Sequence, residues 1–322
     1  MALPDFFVIG AAKAGTTSLY ALLDQHPDIF MPEVKEPEFF ARDDLYDTGA
    51  GRKAYESTYD AAGPGQLIGE ASTLYSLSPL FPQAAARIHA HVPQAKLIYV
   101  LREPVKRAYS FYQQIIKNYQ NATRDYAVHR SFEEFVLPER HAQAGPRDKV
   151  FSAYNAHLPD VPELCLAGSD YLAQIEAYLV HFDRSQFLFL KFEDFVADRP
   201  AALARITEFL GLSSLPEAVF GKDEVTRNVS SAHFNKMGAD ARVQGLQKRL
   251  GPLWAFGTLL PTPLRRRLRA GMDHVPAATP AHLPSPMAAE TRALLEARFA
   301  PQVDRLSEVT GLDLQSWKTA VD

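Results

Sequence analysis

The N-terminal stretch constrains this chain more than any other. Phe6-Phe7-Val8-Ile9 is an unbroken apolar run that stops at Gly10; Lys13 and Gly15 follow, and then the hydroxyl residues Thr16, Thr17 and Ser18. An apolar periodic segment, Leu19 to Leu23, begins at once. A short run that is apolar at every position reads as a strand covered on both faces. A glycine-bounded loop that opens into a helix presents backbone amides no helical carbonyl can satisfy, and such a turn holds an anion. The expectation is strand, phosphate loop, helix. The plainer alternative is an ordinary strand-turn-helix with a surface lysine.

The same type of run recurs at 66–70, 96–101 and 186–192, and with the first at 5–10 it supplies four candidate strands. Helical patterns fill 18–25, 84–91, 105–118, 171–182 and 199–210, and a last amphipathic helix over 285–310 is stopped by Gly311. Strand-helix alternation predicts an α/β chain with a central parallel sheet flanked by helices, a three-layer, P-loop-like fold with right-handed crossovers. Ligands in such sheets bind at the carboxyl ends of the strands. With 322 residues, 47% of them hydrophobic, the chain has the core for one large domain, expected to span 1–322. The stretches 119–168 and 250–286, rich in proline and weak in pattern, are expected to be excursions from it over the substrate side.

Composition removes several classes. A formal net charge of -4 gives no global pull toward nucleic acid. A single cysteine, Cys165, excludes an internal disulfide framework and a cysteine-based zinc site. There is no secretory signal pattern and no apolar run near the ~20 residues of a membrane span. The expectation is a cytoplasmic protein of bacterial style without a transmembrane segment, in which the sequons at Asn121 and Asn228 are accidental.

Gly10 and Gly15 have the spacing of the nucleotide-kinase loop G-x-x-x-x-G-K-[ST], but Thr16 stands where the lysine belongs and Lys13 lies upstream. In a kinase that lysine reaches the terminal phosphates and the next hydroxyl holds magnesium. Here Ala12, Lys13, Ala14 and Gly15, with the hydroxyls of Thr16, Thr17 and Ser18, are expected to cradle one phosphate while Lys13 points at a leaving-group oxygen. A second motif runs from Leu97 through Leu101-Arg102-Glu103-Pro104 to Ser110. A buried strand ends at Arg102, Pro104 suits a first helical turn, and Ser110 lies about two turns on. Arg102 offers a planar fork to a phosphate and Ser110 a hydroxyl. The alternative is a surface pair of Arg102 with Glu103 and an unremarkable serine.

These residues, with His26-Pro27, Lys35-Glu36-Pro37-Glu38-Phe39-Phe40 and Gly69-Glu70-Ala71-Ser72-Thr73-x-Tyr75, resemble the sulfotransferases that use 3′-phosphoadenosine 5′-phosphosulfate (PAPS). The bacterial and heparan-sulfate-type carbohydrate branch is nearer in style than the small-phenol branch. The match continues through Tyr171, Phe192-Glu193-Asp194, Phe209-Leu210-Gly211-Leu212 and Leu314-x-x-Trp317, leaving 119–168 and 250–286 unmatched. The resemblance implies that Lys13 sits near the bridging oxygen and Thr16 to Ser18 hold the 5′-phosphate. Arg102 and Ser110 would bind the 3′-phosphate. Arg227-Asn228 would close over the donor, although that segment lacks the glycine-rich form of many relatives.

In the heparan-sulfate-type branch a glutamate shortly before a double phenylalanine takes the acceptor's proton. Counting back from Phe39-Phe40 gives Glu36, with Glu70 and Glu38 as the other candidate bases; a pair of carboxylates would raise one another's pKa. The plain reading of Glu36 is a loop carboxylate paired with Lys35 or Lys13. His26, before a proline, is expected to shape a turn. No metal is expected, because the transferred group is a monoanion and side chains supply the positive charge. The implied reaction is in-line transfer of a sulfuryl group from PAPS to a hydroxyl or amine, read as that of a carbohydrate or small natural product, with adenosine 3′,5′-bisphosphate (PAP) leaving. The rivals are an ATP-using P-loop kinase and an inactive relative that binds PAP or glycan. The run Arg265-Arg266-Arg267-x-Arg269 admits a solvated helix end, a grip on an anionic polysaccharide, or membrane-surface association through 253–269. Tyr109, Phe111, Tyr112 and Tyr119 are read mainly as core, the alternative being an aromatic patch that stacks on an acceptor ring.

Overall fold

Five parallel strands form the sheet, in the order β2-β3-β1-β4-β5. In this computed structural model the described residues are 3–78, 80–123, 128, 130–137, 165–213 and 284–318. The strands are β1 (Phe6–Gly10), β2 (Ile29–Phe30), β3 (Leu67–Ala71), β4 (Lys96–Leu101) and β5 (Phe187–Lys191). Phe6 stands opposite both Gly69 and Lys96, and Leu97 stands opposite Phe187. Every residue of β1 is buried. That is why the run reads as continuously apolar: a central parallel strand has no solvent face to alternate with.

Because β3 and β4 flank β1, the connection from β3 to β4 crosses over it. The strand order therefore reverses beside β1, which puts a ligand crevice at the carboxyl ends of these strands. The predicted strands agree with the structure to within a residue. The strand β2 is too short to carry a periodic signal. The helices α1 (Thr16–Leu23), α2 (Asp43–Tyr46), α3 (Gly49–Ser57), α4 (Ala84–His91) and α5 (Pro104–Thr123) accompany the first four strands. Of these, α2 and α3 were not expected from the sequence, and α5 runs past 118.

Further on, α6 (Phe132–Val136), α7 (Tyr171–Leu179), α8 (Phe192–Ala197) and α9 (Arg199–Leu210) follow. The helix expected over 285–310 is two helices, α10 (Ala289–Phe299) and α11 (Val303–Thr310), joined by a 3₁₀ turn at Ala300–Gln302. Pro301 lies in that turn; it has no N–H to donate and its ring clashes with the preceding turn. Gly311 caps the end in the left-handed conformation, φ 72°, as expected.

The chain divides into two compact units, the first made of Met1–Phe111, Pro159–Thr226 and Ala289–Asp322, the second of Tyr112–Leu158 and Arg227–Ala288. The first contains the sheet. In the second, α6 begins with a capping box between Ser131 and Glu134. The buried Tyr112 ring lies 5.4 Å from Phe132 and 5.5 Å from Phe135, and its hydroxyl donates to the Arg130 carbonyl at 2.6 Å. Tyr112 is thus core, while Tyr109, Phe111 and Tyr119 are half-buried.

Candidate functional site

Three turns meet the carboxyl edge of the sheet in the first unit. The first leaves β1. A Cβ on Gly10 would lie 2.4 Å from Ser76 Oγ and 2.7 Å from the Tyr99 ring, so packing alone demands glycine there. The Ala11 amide donates to the Val100 carbonyl at 2.8 Å, tying the loop to β4. Gly15 has φ 82°, and a Cβ on it would lie 2.9 Å from the Phe192 ring. Lys13 adopts φ 73°, a conformation that costs a non-glycine residue about 1–3 kcal/mol unless its surroundings impose it. Gly15 is the N-cap of α1 and gives no side-chain cap. The first amides of α1 are therefore left for an external acceptor. Thr16 is buried, Ser18 half-buried and Thr17 exposed.

The second turn leaves β4. Arg102 Nη1 donates to the Lys13 carbonyl at 2.9 Å, and its guanidinium lies 4.7 Å from the Phe192 ring. The backbone of Arg102 is fixed by the Tyr171 hydroxyl, which accepts from its N–H at 3.2 Å and donates to its carbonyl at 2.8 Å. Burial pushes the Arg102 pKa down, against the pull of Tyr171, Glu193 and Glu103; a guanidinium remains charged regardless. The surface pair of Arg102 with Glu103 does not form. Glu103 instead accepts the first amides of α5, from Val105 at 2.8 Å and Lys106 at 2.9 Å. Ser110 sits half-buried in the second turn of α5.

The third turn packs 35–40 against the residues after β3. The Glu36 amide donates to the Ala71 carbonyl at 3.0 Å. The Glu38 amide donates to Ser72 Oγ at 3.2 Å, and the Phe40 amide to the Tyr75 hydroxyl at 3.3 Å. Glu36 has φ 61° and Glu38 φ 58°. The Glu36 carboxylate, 32% exposed, pairs through Oε1 with Lys35 and accepts the Thr73 hydroxyl on Oε2 at 3.1 Å. Glu38 pairs with Arg42 at 3.4 Å. Each of the two carboxylates is therefore met by a cation.

Glu70 lies in a different setting. It is fully buried; its Oε2 accepts the hydroxyls of Tyr55 at 2.6 Å and Tyr59 at 2.7 Å, and its Oε1 has no partner. Burial pushes its carboxyl up, against the hydrogen bonds of Tyr55 and Tyr59 and the nearby hydroxyls of Tyr75 and Ser72. His26 shapes a turn: its Nδ1 accepts the Asp28 amide at 3.1 Å and its Nε2 faces the Ser213 carbonyl at 3.0 Å. Arg227, Asn228 and the Arg265–Arg269 run lie outside the described residues.

Two participants were not singled out from the sequence. Thr73 stands inside a quoted motif, and only its contact with Glu36 reveals a purpose. Arg107 is fully buried, on the side of α5 that carries Pro104, Ala108 and Phe111; an arginine within an apolar stripe is the signal that would have found it. Neither Arg102 nor Arg107 forms an ion pair with a described carboxylate, so a buried positive site adjoins the uncapped start of α1. Such a site fits a ligand carrying phosphate groups. Among the described residues no helix is long and apolar enough to cross a membrane.

A family model described as a sulfotransferase domain matches residues 3–248. Carbohydrate sulfotransferase 15 of Mus musculus is 27% identical over 294 residues, covering 78% of this chain and 49% of its own. Heparan sulfate glucosamine 3-O-sulfotransferase 6 of Homo sapiens is 32% identical over 209 residues, covering 65% of this chain and 52% of its own. The chain thus spans about half the length of the curated relatives it matches. The crystal structure of a sulfotransferase from Alicyclobacillus acidocaldarius aligns with a TM-score of 0.61 at 26% identity, covering 99% of this chain and 100% of that one.

Proposed function

Because the chain belongs to the sulfotransferase domain family, we propose that it transfers a sulfuryl group from PAPS to an acceptor hydroxyl or amine, a carbohydrate hydroxyl first among them. The observation that carries this reading is the bond from Arg102 to the carbonyl of Lys13, 2.9 Å long. It joins the β1 loop and the β4 turn into one anion-binding corner.

PAPS supplies a sulfuryl group already activated by its bond to the 5′-phosphate. In this reading the amides at the start of α1, with Thr16, Thr17 and Ser18, hold the 5′-phosphate, and Ala12, Ala14 and Gly15 shape the loop around it. Lys13 places positive charge where the bridging oxygen gains negative charge, a contribution typically worth about 10²–10³ in rate. Arg102 and Ser110 hold the 3′-phosphate, and Arg227 and Asn228 are proposed to close over the donor. Glu36 takes the acceptor's proton. Its carboxylate is accessible and oriented by Thr73, whereas Glu70 has no exposed surface; this favours Glu36 over Glu70 as the base. The names of the two curated relatives support a saccharide as the acceptor, and its selection is proposed to lie with the segments 119–168 and 250–286.

The test is transfer from labelled PAPS into an extract of the source organism, with mass spectrometry of the labelled product. A sulfated saccharide supports the reading. PAP binding without any labelled product favours the inactive relative, and stronger thermal stabilisation by ADP than by PAP favours the kinase.

A further inference from the structure

Among the described residues Arg107 is the largest side chain wholly withdrawn from solvent, and no described carboxylate forms an ion pair with it. A buried guanidinium is costly unless every donor is satisfied and the charge is compensated. Its Nε donates to Ser169 Oγ at 2.6 Å and its Nη2 to the Cys165 carbonyl. Its Nη1 reaches the Ala12 carbonyl at 3.4 Å. Ser169 is itself anchored, its hydroxyl donating to the Pro104 carbonyl at 2.9 Å. The guanidinium also rests against the Phe111 ring, 5.6 Å from its centroid. Gly168 leaves the room it needs: a Cβ there would lie 2.9 Å from Nη1 and 3.0 Å from Cζ.

Arg102 takes the very next carbonyl of the loop, that of Lys13. Two guanidiniums thus hold consecutive carbonyls, at the residue whose backbone is in the left-handed region. A strained conformation persists only where the surroundings over-determine it, and these two bonds are among the restraints on this one.

We propose that Arg107 is a positioning residue for the donor's 5′ end: it pins the Ala12 carbonyl to the 165–169 turn and so sets the loop that carries Lys13, while its buried charge is answered by the bound phosphate. The proposal rests on the PAPS reading above. It explains a cation with no ion-pair partner among the described carboxylates, since such a partner would cancel the positive potential the loop presents. It also explains why residue 168 carries no side chain.

The experiment uses the full chain and three probes: PAP, 5′-AMP, which lacks the 3′-phosphate, and 3′-AMP, which lacks the 5′-phosphate. Their affinities are read by calorimetry for the native protein and for Arg107→Lys, which keeps the charge and loses the fork. PAP and 5′-AMP are expected to bind about tenfold more weakly to the variant, the scale of one charge-assisted hydrogen bond, with 3′-AMP unchanged. Gly168→Ala, which pushes on the guanidinium without altering it, is expected to reproduce the same pattern with a smaller loss. Should Arg107→Lys not fold, this second variant decides. Equal weakening of all three probes, or of none, overturns the proposal while leaving the PAPS reading intact. A native protein that binds none of the probes overturns the PAPS reading and this proposal with it.

Discussion

The β1 loop and the 35–40 turn carry the same backbone anomaly but are held by different means. Lys13, Glu36 and Glu38 all have positive φ without being glycine. Around Lys13 the restraint comes from the interior: Arg102 and Arg107 grip the carbonyls of 13 and 12, and Phe192 fills the space that Gly15 leaves. Around Glu36 it comes from the hydroxyls of Ser72, Thr73 and Tyr75 and the carbonyl of Ala71. Buried forks and packed rings hold a loop in one geometry. Single hydroxyl contacts at a partly exposed turn each contribute only about 0.5–1.5 kcal/mol. In the proposed reading, donor binding falls to the rigid corner and proton removal to the softer one.

Substitutions separate the two. Lys13→Ala is expected to cost on the order of 10² or more in kcat, read in steady state with labelled PAPS; a loss of only a few-fold breaks the assignment of Lys13 to the leaving oxygen. Arg102→Ala removes the fork joining the two donor turns. It is expected to raise the KM for PAPS about tenfold or more with a smaller change in kcat, and the reverse split would move Arg102 to the softer side. Thr73→Val deletes one hydroxyl contact to Glu36 and is expected to lower kcat about tenfold at most, with PAP affinity unchanged and Thr73→Ser restoring the rate. A fall in PAP affinity instead would join the two corners into one.

The smallest effect concerns stability. Burial raises the Glu70 carboxyl above its ordinary value of 4.5, so the folded state favours the protonated form. The contribution of Glu70 to stability is full below 4.5 and is lost as pH rises through the raised native value. The groups facing it, Tyr55, Tyr59, Tyr75 and Ser72, are neutral in that window. Glu70→Gln is expected to flatten this decline in a series of melting temperatures against pH. An unchanged decline would show that another group causes it.

The proposed donor corner was largely legible in the sequence, because its geometry imposes residue types. Gly10 and Gly15 are forced by contact and by φ, and a strand that ends in Arg-Glu-Pro announces its own turn. The central strands were legible for the same reason, since burial on both faces leaves no polar position in β1. The proposed base corner was legible only as charges. Glu36, Glu38 and Glu70 look alike in the sequence, and only the fold separates a partly exposed carboxylate on Thr73 from one sealed among tyrosines. Arg107 was hidden because its partners Ala12, Cys165 and Ser169 are far from it in the chain and two of them offer only backbone. The break at Pro301 was visible in the residue itself, but the amphipathic period runs through it and masks the stop.

The most direct test of the central claim is the rate of labelled sulfuryl transfer by Glu36→Gln, with PAP affinity measured on the same preparation. Turnover is expected to fall by a factor on the order of 10² or more, with PAP bound as tightly as by the native protein. Turnover near the native rate would contradict it and pass the role of base to Glu70.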